Sequence, residues 1–278
     1  MKTELTTAEV ATRLSVSRAT VKRWADEGLL PCIKTVGRHR RFLAADVDRF
    51  RQAQHAEGLA TTAHDAADPL IEILLHGDSS YALEANLLTR RARLGSWWRV
   101  AETLGLTLEA IGVLWRRGEL SIVEEHVASE RLGRALARAC EWLPTAPQAP
   151  RALLATAVGD EHTLGLSLVE LCLRELGWVS WWAGRRTPLK ALATAVAHPR
   201  QAVQLVAVSA STVSTDAADL AAQEAEIGRA CRRTGVPLLL GGGGAWPVAP
   251  TYGVRLDSLA TLVTFVRELD AARAQRRG

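Results

Sequence analysis

Short apolar runs alternate with longer amphipathic segments between residues 151 and 273, and this alternation limits the possible folds more than any other feature of the chain. Four of the runs have the length of buried strands: 151–158, 178–182, 203–208 and 236–240. A last strand and helix are predicted between Gly253 and about Arg273. Strands that alternate with helices predict a parallel sheet covered by helices on both faces.

Three polar or glycine-rich segments directly follow these predicted strands. They are Gly159–Gly165 (GDEHTLG), Ser209–Ser211 (SAS) and Gly241–Gly244 (GGGG). Ligands of parallel sheets bind outside the carboxyl ends of the strands, so we expect the three segments to converge on one crevice. The glycine run has neither the GxxxxGK[ST] order nor a GxGxxG that leads into a helix, which weakens a nucleotide-binding interpretation.

The region from Pro69 to Leu143 has the periodicity of four or five amphipathic helices and no strand pattern. Trp97 and Trp98 begin the third helix in this interpretation, and Ser121 caps the last one. A helical bundle over residues 69–146 is predicted. The chain contains nine tryptophans, and we expect most of them in the core or at interfaces.

The excess positive charge lies in residues 1–54, which carry 11 Lys and Arg against 6 Asp and Glu, whereas the remainder carries 23 against 24. The local pattern there is a helix capped by Thr6 or Thr7, a tight turn, a second helix that ends at Gly28, and a basic hairpin over Ile33–Phe42. This order predicts a winged helix-turn-helix with a polyanionic partner, operator DNA. A helix-turn-helix that does not bind DNA is the alternative.

Eight side chains of this domain are predicted to contact DNA, four near the start of the second helix and four in the basic hairpin. They are Arg18, Thr20, Lys22, Arg23, Arg38, His39, Arg40 and Arg41. The order TxxEVAxxLxVSxxTVxRWxxEGLLP…GxHRRF…DV resembles the winged-helix domains of MerR and excisionase-type proteins. Residues 55–68 are small and polar, which is typical of a flexible tether.

The segment Asp160-x-His162-x-x-Gly165 is the D-x-H-x-x-G signature of cobalamin-binding domains, which residues 147–278 therefore resemble. A neutral imidazole is a good cobalt ligand, and such a ligand usually donates its other N–H to a carboxylate. The resemblance implies a Rossmann-like (flavodoxin-like) fold in which His162 is the lower axial ligand of cobalt. Asp160 would then orient His162, and Gly165 would let the following helix approach the corrin.

Further positions match the same family later in the chain. Ser209 corresponds to its serine motif, and Gly241 and Gly242 correspond to its paired glycines, which implies room there for the nucleotide tail of the cofactor. The family motif is usually S-x-L, and Ser211 stands at its third position. The serine in place of leucine would change the fit of the protein around the nucleotide tail of the cofactor.

The three parts in this order resemble the CarH/LitR-type photoreceptor regulators along nearly the whole chain. Their W-x9-E-H motif is matched by Trp115, Glu125 and His126, with Ile122 as a neighbouring apolar residue, and it implies contacts to the 5′-deoxyadenosyl group of adenosylcobalamin. The resemblance implies a tetramer that binds operator DNA in the dark and dissociates when light breaks the cobalt–carbon bond. Arg116 stands where the family pattern has a histidine that takes the open cobalt position after photolysis.

Alternative functions follow from the same residues. The chain could sense cobalamin without light, hold a bilin as a second chromophore among its tryptophans, or be a corrinoid carrier or mutase subunit, which the DNA-binding head argues against. No acid–base constellation accompanies the motif, so we expect a regulator and not an enzyme.

No apolar run approaches the roughly 20 residues of a membrane span, no signal-peptide pattern is present, and the four cysteines form no CxxC pair. These features predict a cytoplasmic protein without a membrane partner.

Overall fold

The computed structural model describes residues 4–13, 21, 25, 30–34, 40–48, 69–77 and 79–277. They fall into two compact units, one within residues 1–67 and the other within residues 68–278. The predicted tether, residues 55–68, lies outside the described residues. None of the described helices combines the length and the apolar character that a membrane crossing needs.

The described residues of the N-terminal unit form a small antiparallel sheet and helical segments. The strands and the first helix are β1 (Glu4–Thr6), α1 (Thr7–Arg13), β2 (Ile33–Lys34) and β3 (Arg40–Leu43). Residues 44–48 are also helical. The strand order is β1-β3-β2, so the predicted hairpin is present and a third strand, which the sequence pattern did not indicate, pairs with it.

Thr6 caps α1, as one of the two predicted candidates. The Glu9 N–H donates to Thr6 Oγ1 at 3.3 Å, and the Thr6 N–H donates to Glu9 Oε2 at 2.7 Å. This reciprocal pair satisfies two main-chain donors at the helix start. Val10, Val21 and Phe42 are fully buried and belong to a hydrophobic core of this unit's own.

Four helices form the bundle of the second unit. They are α2 (Pro69–His76), α3 (Ser80–Leu94), α4 (Trp97–Arg116) and α5 (Ile122–Glu141). The predicted division between Trp98 and Leu108 is absent, because Gly105 lies within α4 and does not end it. Ser121 caps α5 as predicted, in a reciprocal arrangement with Glu124.

The strand–helix alternation continues in the rest of this unit. Its elements are β4 (Arg151–Thr156), α6 (Leu164–Glu175), β5 (Val179–Gly184), α7 (Leu189–Ala197), β6 (Val203–Ser209), α8 (Ala217–Thr234), β7 (Leu238–Gly241), β8 (Val254–Arg255) and α9 (Leu259–Arg277). The strands pair in parallel in the order β5-β4-β6-β7-β8. This is the flavodoxin-like order, whose direction of winding reverses between β4 and β6.

The two faces of the sheet belong to two hydrophobic clusters. Leu154, Leu205 and Leu239 face a cluster that also includes the bundle, whereas Leu153 and Val206 face the cluster under α7 and α8. Alternate residues of a strand point to opposite faces, which produces this division. The bundle and the sheet therefore share a core, and the predicted boundary at 146/147 separates two layers of one compact unit.

Helix α4 runs antiparallel to α6. Its first N–H, of Trp97, donates to Glu175 Oε1 at the end of α6 over 2.8 Å. Further along, a β-carbon on Gly105 would lie 4.0 Å from the side chain of Leu168. Trp115 is ten residues beyond Gly105, so at 1.5 Å per residue it lies about 15 Å further along the helix axis.

Helix α5 runs in the same direction as α6. A β-carbon on Gly133 would lie 3.6 Å from Leu164, the first residue of α6, and Arg174 near its end donates to the carbonyl of Cys140 at 2.9 Å. The residues of α5 before Gly133 therefore extend beyond the start of α6. We call residues 112–129 the overhang. They comprise the end of α4, the connecting turn and the start of α5, and they extend beyond the carboxyl edge of the sheet.

Candidate functional site

Asp160 joins the loop after β4 to the loop after β6, at the point where the winding of the sheet reverses. Its carboxyl is buried, and Oδ1 accepts the main-chain N–H of His162 at 2.9 Å. Oδ2 accepts the N–H of Ser211 at 2.5 Å and the hydroxyl of Ser214 at 2.7 Å. Two of the three predicted segments therefore meet at one carboxylate.

These hydrogen bonds determine the charge state of Asp160. Burial alone would raise its pKa, but the bonds donated by the N–H groups of His162 and Ser211 and by the hydroxyls of Ser214 and Ser211 lower the pKa to about 2. Asp160 is therefore an anion at any physiological pH. An anion in this position accepts a ring N–H strongly.

The predicted contact between Asp160 and the imidazole is present. Nδ1 of His162 lies 2.9 Å from Asp160 Oδ1 and 3.1 Å from Ser211 Oγ. An anionic acceptor next to Nδ1 favours the tautomer with the proton on that nitrogen, which leaves the Nε2 lone pair available to a metal. The side chain is 59% exposed, so an external group can reach it.

A free metal ion would need more ligands than His162 supplies. Among the described residues, no group of three or more His, Cys, Asp and Glu side chains could hold one. A single imidazole suits a metal whose other ligands belong to a macrocycle. The donor set therefore fits a corrinoid better than a bare ion.

Residues that the sequence analysis missed support this loop from below. Thr156 Oγ1 donates to the carbonyl of Asp160 at 2.8 Å, and the buried Gln223 of α8 accepts the N–H of Val158 at 2.8 Å. Ser214 was also missed, although it lies only three residues after Ser211. Gln223 is 65 residues from its partner, and no local pattern indicates such a contact.

Gly165 and Gly242 both approach the predicted Ser209. A β-carbon on Gly165 would lie 3.3 Å from Ser209 Oγ, and one on Gly242 would lie 3.1 Å from the same atom. Gly242 has a φ of 85°, and its β-carbon would lie 2.2 Å from the carbonyl oxygen of Ala210. These two glycines therefore permit close packing between protein segments. The predicted approach of α6 to a corrin at Gly165 stays a prediction.

Gly241 behaves differently from its neighbour. A β-carbon there would meet no atom within 4 Å. Gly241 follows Leu239 by two positions, so it faces the side of the sheet that α6 covers. The predicted roles of Gly241 and Ser209 at a nucleotide tail stay predictions.

The W-x9-E-H residues lie on the overhang. Trp115 follows the buried Ile111 by one turn on the same face of α4 and is 45% exposed. Ile122, Glu125 and His126 share a face of α5 with Gly133, because they precede it by 11, 8 and 7 positions. Since Gly133 contacts the start of α6, this face of the overhang is directed to the side where the His162 loop lies.

A hydrogen bond orients the acidic member of this group. Ser129 Oγ donates to Glu125 Oε1 at 2.7 Å, and Glu125 Oε2 lies 3.6 Å from His126 Nε2. Among the described residues, no hydrogen bond or ion pair joins these side chains to Asp160 or His162. The structure thus contains two separate groups of predicted residues at the same edge of the unit.

Two of the predicted DNA-contacting residues are described, Arg40 and Arg41 on β3. Arg40 shares a strand face with the buried Phe42, whereas Arg41 shares the opposite face with the exposed Leu43. The outward face is therefore that of Arg41. Six residues lie outside the described residues: Arg18, Thr20, Lys22, Arg23, Arg38 and His39.

Comparisons with known proteins agree with both units. Residues 4–55 match the model of the family "Helix-turn-helix domain". The HTH-type transcriptional repressor CarA of Myxococcus xanthus is 37% identical to this chain over 81 residues, which are 29% of this chain. The match spans 28% of the length of that repressor.

Among solved structures, the monomethylamine corrinoid protein of Methanosarcina barkeri is similar over 74% of this chain and 99% of that chain, with 15% identity and a TM-score of 0.50. A cobalamin-binding protein from Desulfitobacterium hafniense DCB-2 is 18% identical, over 72% of this chain and 97% of that chain, with a TM-score of 0.35. The first similarity confirms the fold class of the larger unit. The chain is thus a helix-turn-helix protein with a helical bundle and a Rossmann-like parallel sheet.

Proposed function

We propose that the chain is a transcriptional regulator that binds operator DNA through residues 1–54 and a cobalamin through His162. The observation that carries the proposal is the buried, ionised Asp160 hydrogen-bonded to Nδ1 of an exposed His162 at the winding reversal of the sheet. The helix-turn-helix match supports the DNA-binding part. Such a regulator works in the cytoplasm, with the DNA that it reads.

The chemistry of the described residues supports a corrinoid ligand. His162 would hold the metal through Nε2, and the space beside Gly241 would accept a tail. On the overhang, Trp115 offers an indole for stacking, and Glu125 and His126 offer hydrogen bonds to a ribose and a base. This combination of an apolar plane and polar groups suits an adenosyl group better than a methyl group.

A bound adenosylcobalamin would supply a cobalt–carbon bond that visible light breaks. The residues of this chain would make the arrangement of bundle and sheet depend on the presence of the adenosyl group. Trp115, Glu125 and His126 would contact it from the overhang, whereas His162 would hold the cofactor from the sheet. A group held from both sides stabilises one arrangement of bundle and sheet over another, and its loss removes that preference.

The proposal extends to assembly and repression. With adenosylcobalamin in the dark, the favoured arrangement forms a tetramer, and linked DNA-binding heads bind an operator more tightly than separate ones. Light disassembles the tetramer and ends repression. A regulator that senses cobalamin without light is the second candidate, and Arg116 favours it, because this chain lacks the family histidine at that position.

One experiment separates these functions. The purified protein is mixed with adenosylcobalamin or methylcobalamin, kept dark or exposed to green light, and analysed by absorption spectroscopy and size-exclusion chromatography. The light-dependent function predicts a large oligomer with adenosylcobalamin in the dark alone. Assembly with both cobalamins, or an oligomer that survives light, contradicts it in favour of the light-independent sensor. Absence of cobalamin binding contradicts both.

A further inference from the structure

Ser211 contacts both members of the Asp160–His162 pair. Its N–H donates to Asp160 Oδ2 at 2.5 Å, and its hydroxyl oxygen lies 3.1 Å from His162 Nδ1. Ser214, on the same loop, donates its hydroxyl to Asp160 alone. The two serines therefore share the carboxylate but differ in whether they reach the imidazole.

The second partner of Nδ1 bears on the orientation of the ring. The Asp160 carboxylate is already held to the loop after β6 through its Oδ2. One acceptor at Nδ1 still allows the imidazole ring to rotate about that single hydrogen bond. A second acceptor, the Ser211 hydroxyl on the loop after β6, restricts this rotation and so fixes the imidazole plane.

We infer that Ser211 is a positioning residue for His162: its hydroxyl is the second acceptor of the Nδ1–H and fixes the direction in which Nε2 meets cobalt. The inference rests on the proposed function. It assigns to Ser211 a role at the metal ligand, whereas the sequence motif places that position near the nucleotide tail.

Three variants separate the hydroxyl from the loop around it. Ser211→Ala removes the hydroxyl and keeps the N–H that Asp160 accepts. Ser211→Thr keeps a hydroxyl at the same place. Ser214→Ala is the matched control, because it deletes a hydroxyl from the same carboxylate without touching the imidazole. Circular dichroism of each variant without cofactor verifies that it folds.

The full chain is loaded with cobinamide, a corrinoid that lacks the benzimidazole tail, which is then reduced by one electron with dithionite to the Co(II) form for electron paramagnetic resonance. A ligating nitrogen splits the cobalt lines into triplets, and without the benzimidazole such triplets report a protein imidazole. Ser211→Ala should blur the triplets and weaken cobinamide binding about fivefold, the effect of one ordinary hydrogen bond. Ser211→Thr should restore both properties, and Ser214→Ala should keep sharp triplets.

The outcomes distinguish this inference from the proposed function. Sharp triplets and unchanged affinity in Ser211→Ala overturn the role of Ser211 while leaving cobalt ligation intact. An equal loss in Ser214→Ala also overturns it, because the effect would then belong to the loop. If the unaltered protein lacks triplets, or if His162→Ala retains them, ligation by His162 itself is wrong and both proposals fail.

Discussion

Glu175 caps the helix that begins at Trp97: its Oε1 and Oε2 accept the N–H groups of Trp97 and Trp98 at 2.8 and 3.1 Å. Ser96, the residue in the N-cap position, makes no side-chain cap bond. The cap of a bundle helix is therefore supplied from the end of α6, 78 residues further along the chain. This contact fastens the bundle to the sheet at the end opposite the overhang.

Glu175→Ala should lower the free energy of unfolding by about 1–2 kcal/mol, the usual cost of losing a helix cap. The variant also loses the Arg91 ion pair with the same carboxylate, at 3.3 Å. Urea unfolding of the protein without cofactor measures the change. Glu130→Ala is the control, because the ion pair of Glu130 with Arg134 is exposed and should contribute little. Equal effects in both variants would contradict the capping role.

Asp160 should make stability depend on pH in the acid range. Its pKa in the folded protein is about 2, below the ordinary 3.8, so its ionised form stabilises the folded state. This contribution is complete above about pH 4 and disappears as the pH falls towards 2. Unfolding midpoints of the unaltered protein and of Asp160→Asn, measured from pH 7 to pH 2, should converge at the acid end. A constant difference across this range would exclude the effect.

Arg41→Ala should weaken operator binding more than Arg40→Ala, because Arg41 lies on the outward face of β3. Loss of a phosphate contact should reduce affinity for many sequences alike and make the dependence on salt less steep. Fluorescence anisotropy with operator and unrelated DNA at several salt concentrations measures both effects. Arg233→Ala, in the other unit, serves as the control. A larger effect of Arg40→Ala would reverse the assignment of the strand faces.

Trp115→Ala should separate cofactor binding from assembly. Cobalamin remains bound through His162, so its absorption spectrum is retained, but the overhang loses the surface on which an adenosyl group packs. The variant should stay small on size-exclusion chromatography with adenosylcobalamin in the dark. Trp142→Ala provides a comparison, because Trp142 is similarly exposed but lies at the other end of the bundle. Tetramers of the Trp115 variant would refute the adenosyl contact.

The illuminated protein should lack a second cobalt–histidine bond from position 116, which is arginine in this chain. Its absorption spectrum after light should therefore differ from that of a bis-imidazole cobalamin. Fresh adenosylcobalamin should restore the dark oligomer, because no protein side chain from that position has to be displaced. Introducing Arg116→His should produce the bis-imidazole spectrum and slow the recovery. An unaltered protein that already shows this spectrum would disprove the prediction.

Local sequence patterns predicted the contacts that are close in the chain. Asp160 and His162 are two residues apart, and the Ser121–Glu124 cap spans three, so a single loop or helix turn determines them. The parallel sheet covered by helices followed from the alternation of strands and helices. These features depend on short-range geometry, which the sequence displays directly.

Contacts between distant segments were not predictable in the same way. Ser211 reaches His162 from 49 residues away and Gln223 reaches Val158 from 65, because neighbouring strands of the sheet bring their loops together. The two helices predicted at Trp97 and at Leu108 are one helix, α4, although Gly105 lies between them and glycine disfavours helices by about 1 kcal/mol. Burial of Leu104 and Ile111 against the rest of the core outweighs this preference, and α4 continues.

The overhang also has a mechanical meaning. The bundle is fastened at Glu175 and again where Gly133 meets Leu164, and Glu125 lies about 12 Å beyond that second point along α5. Because both points are fixed, bending of α4 and α5 displaces their free ends most. The overhang is in this respect a cantilever, and a molecule bound beneath Trp115 and Glu125 acts at its free end.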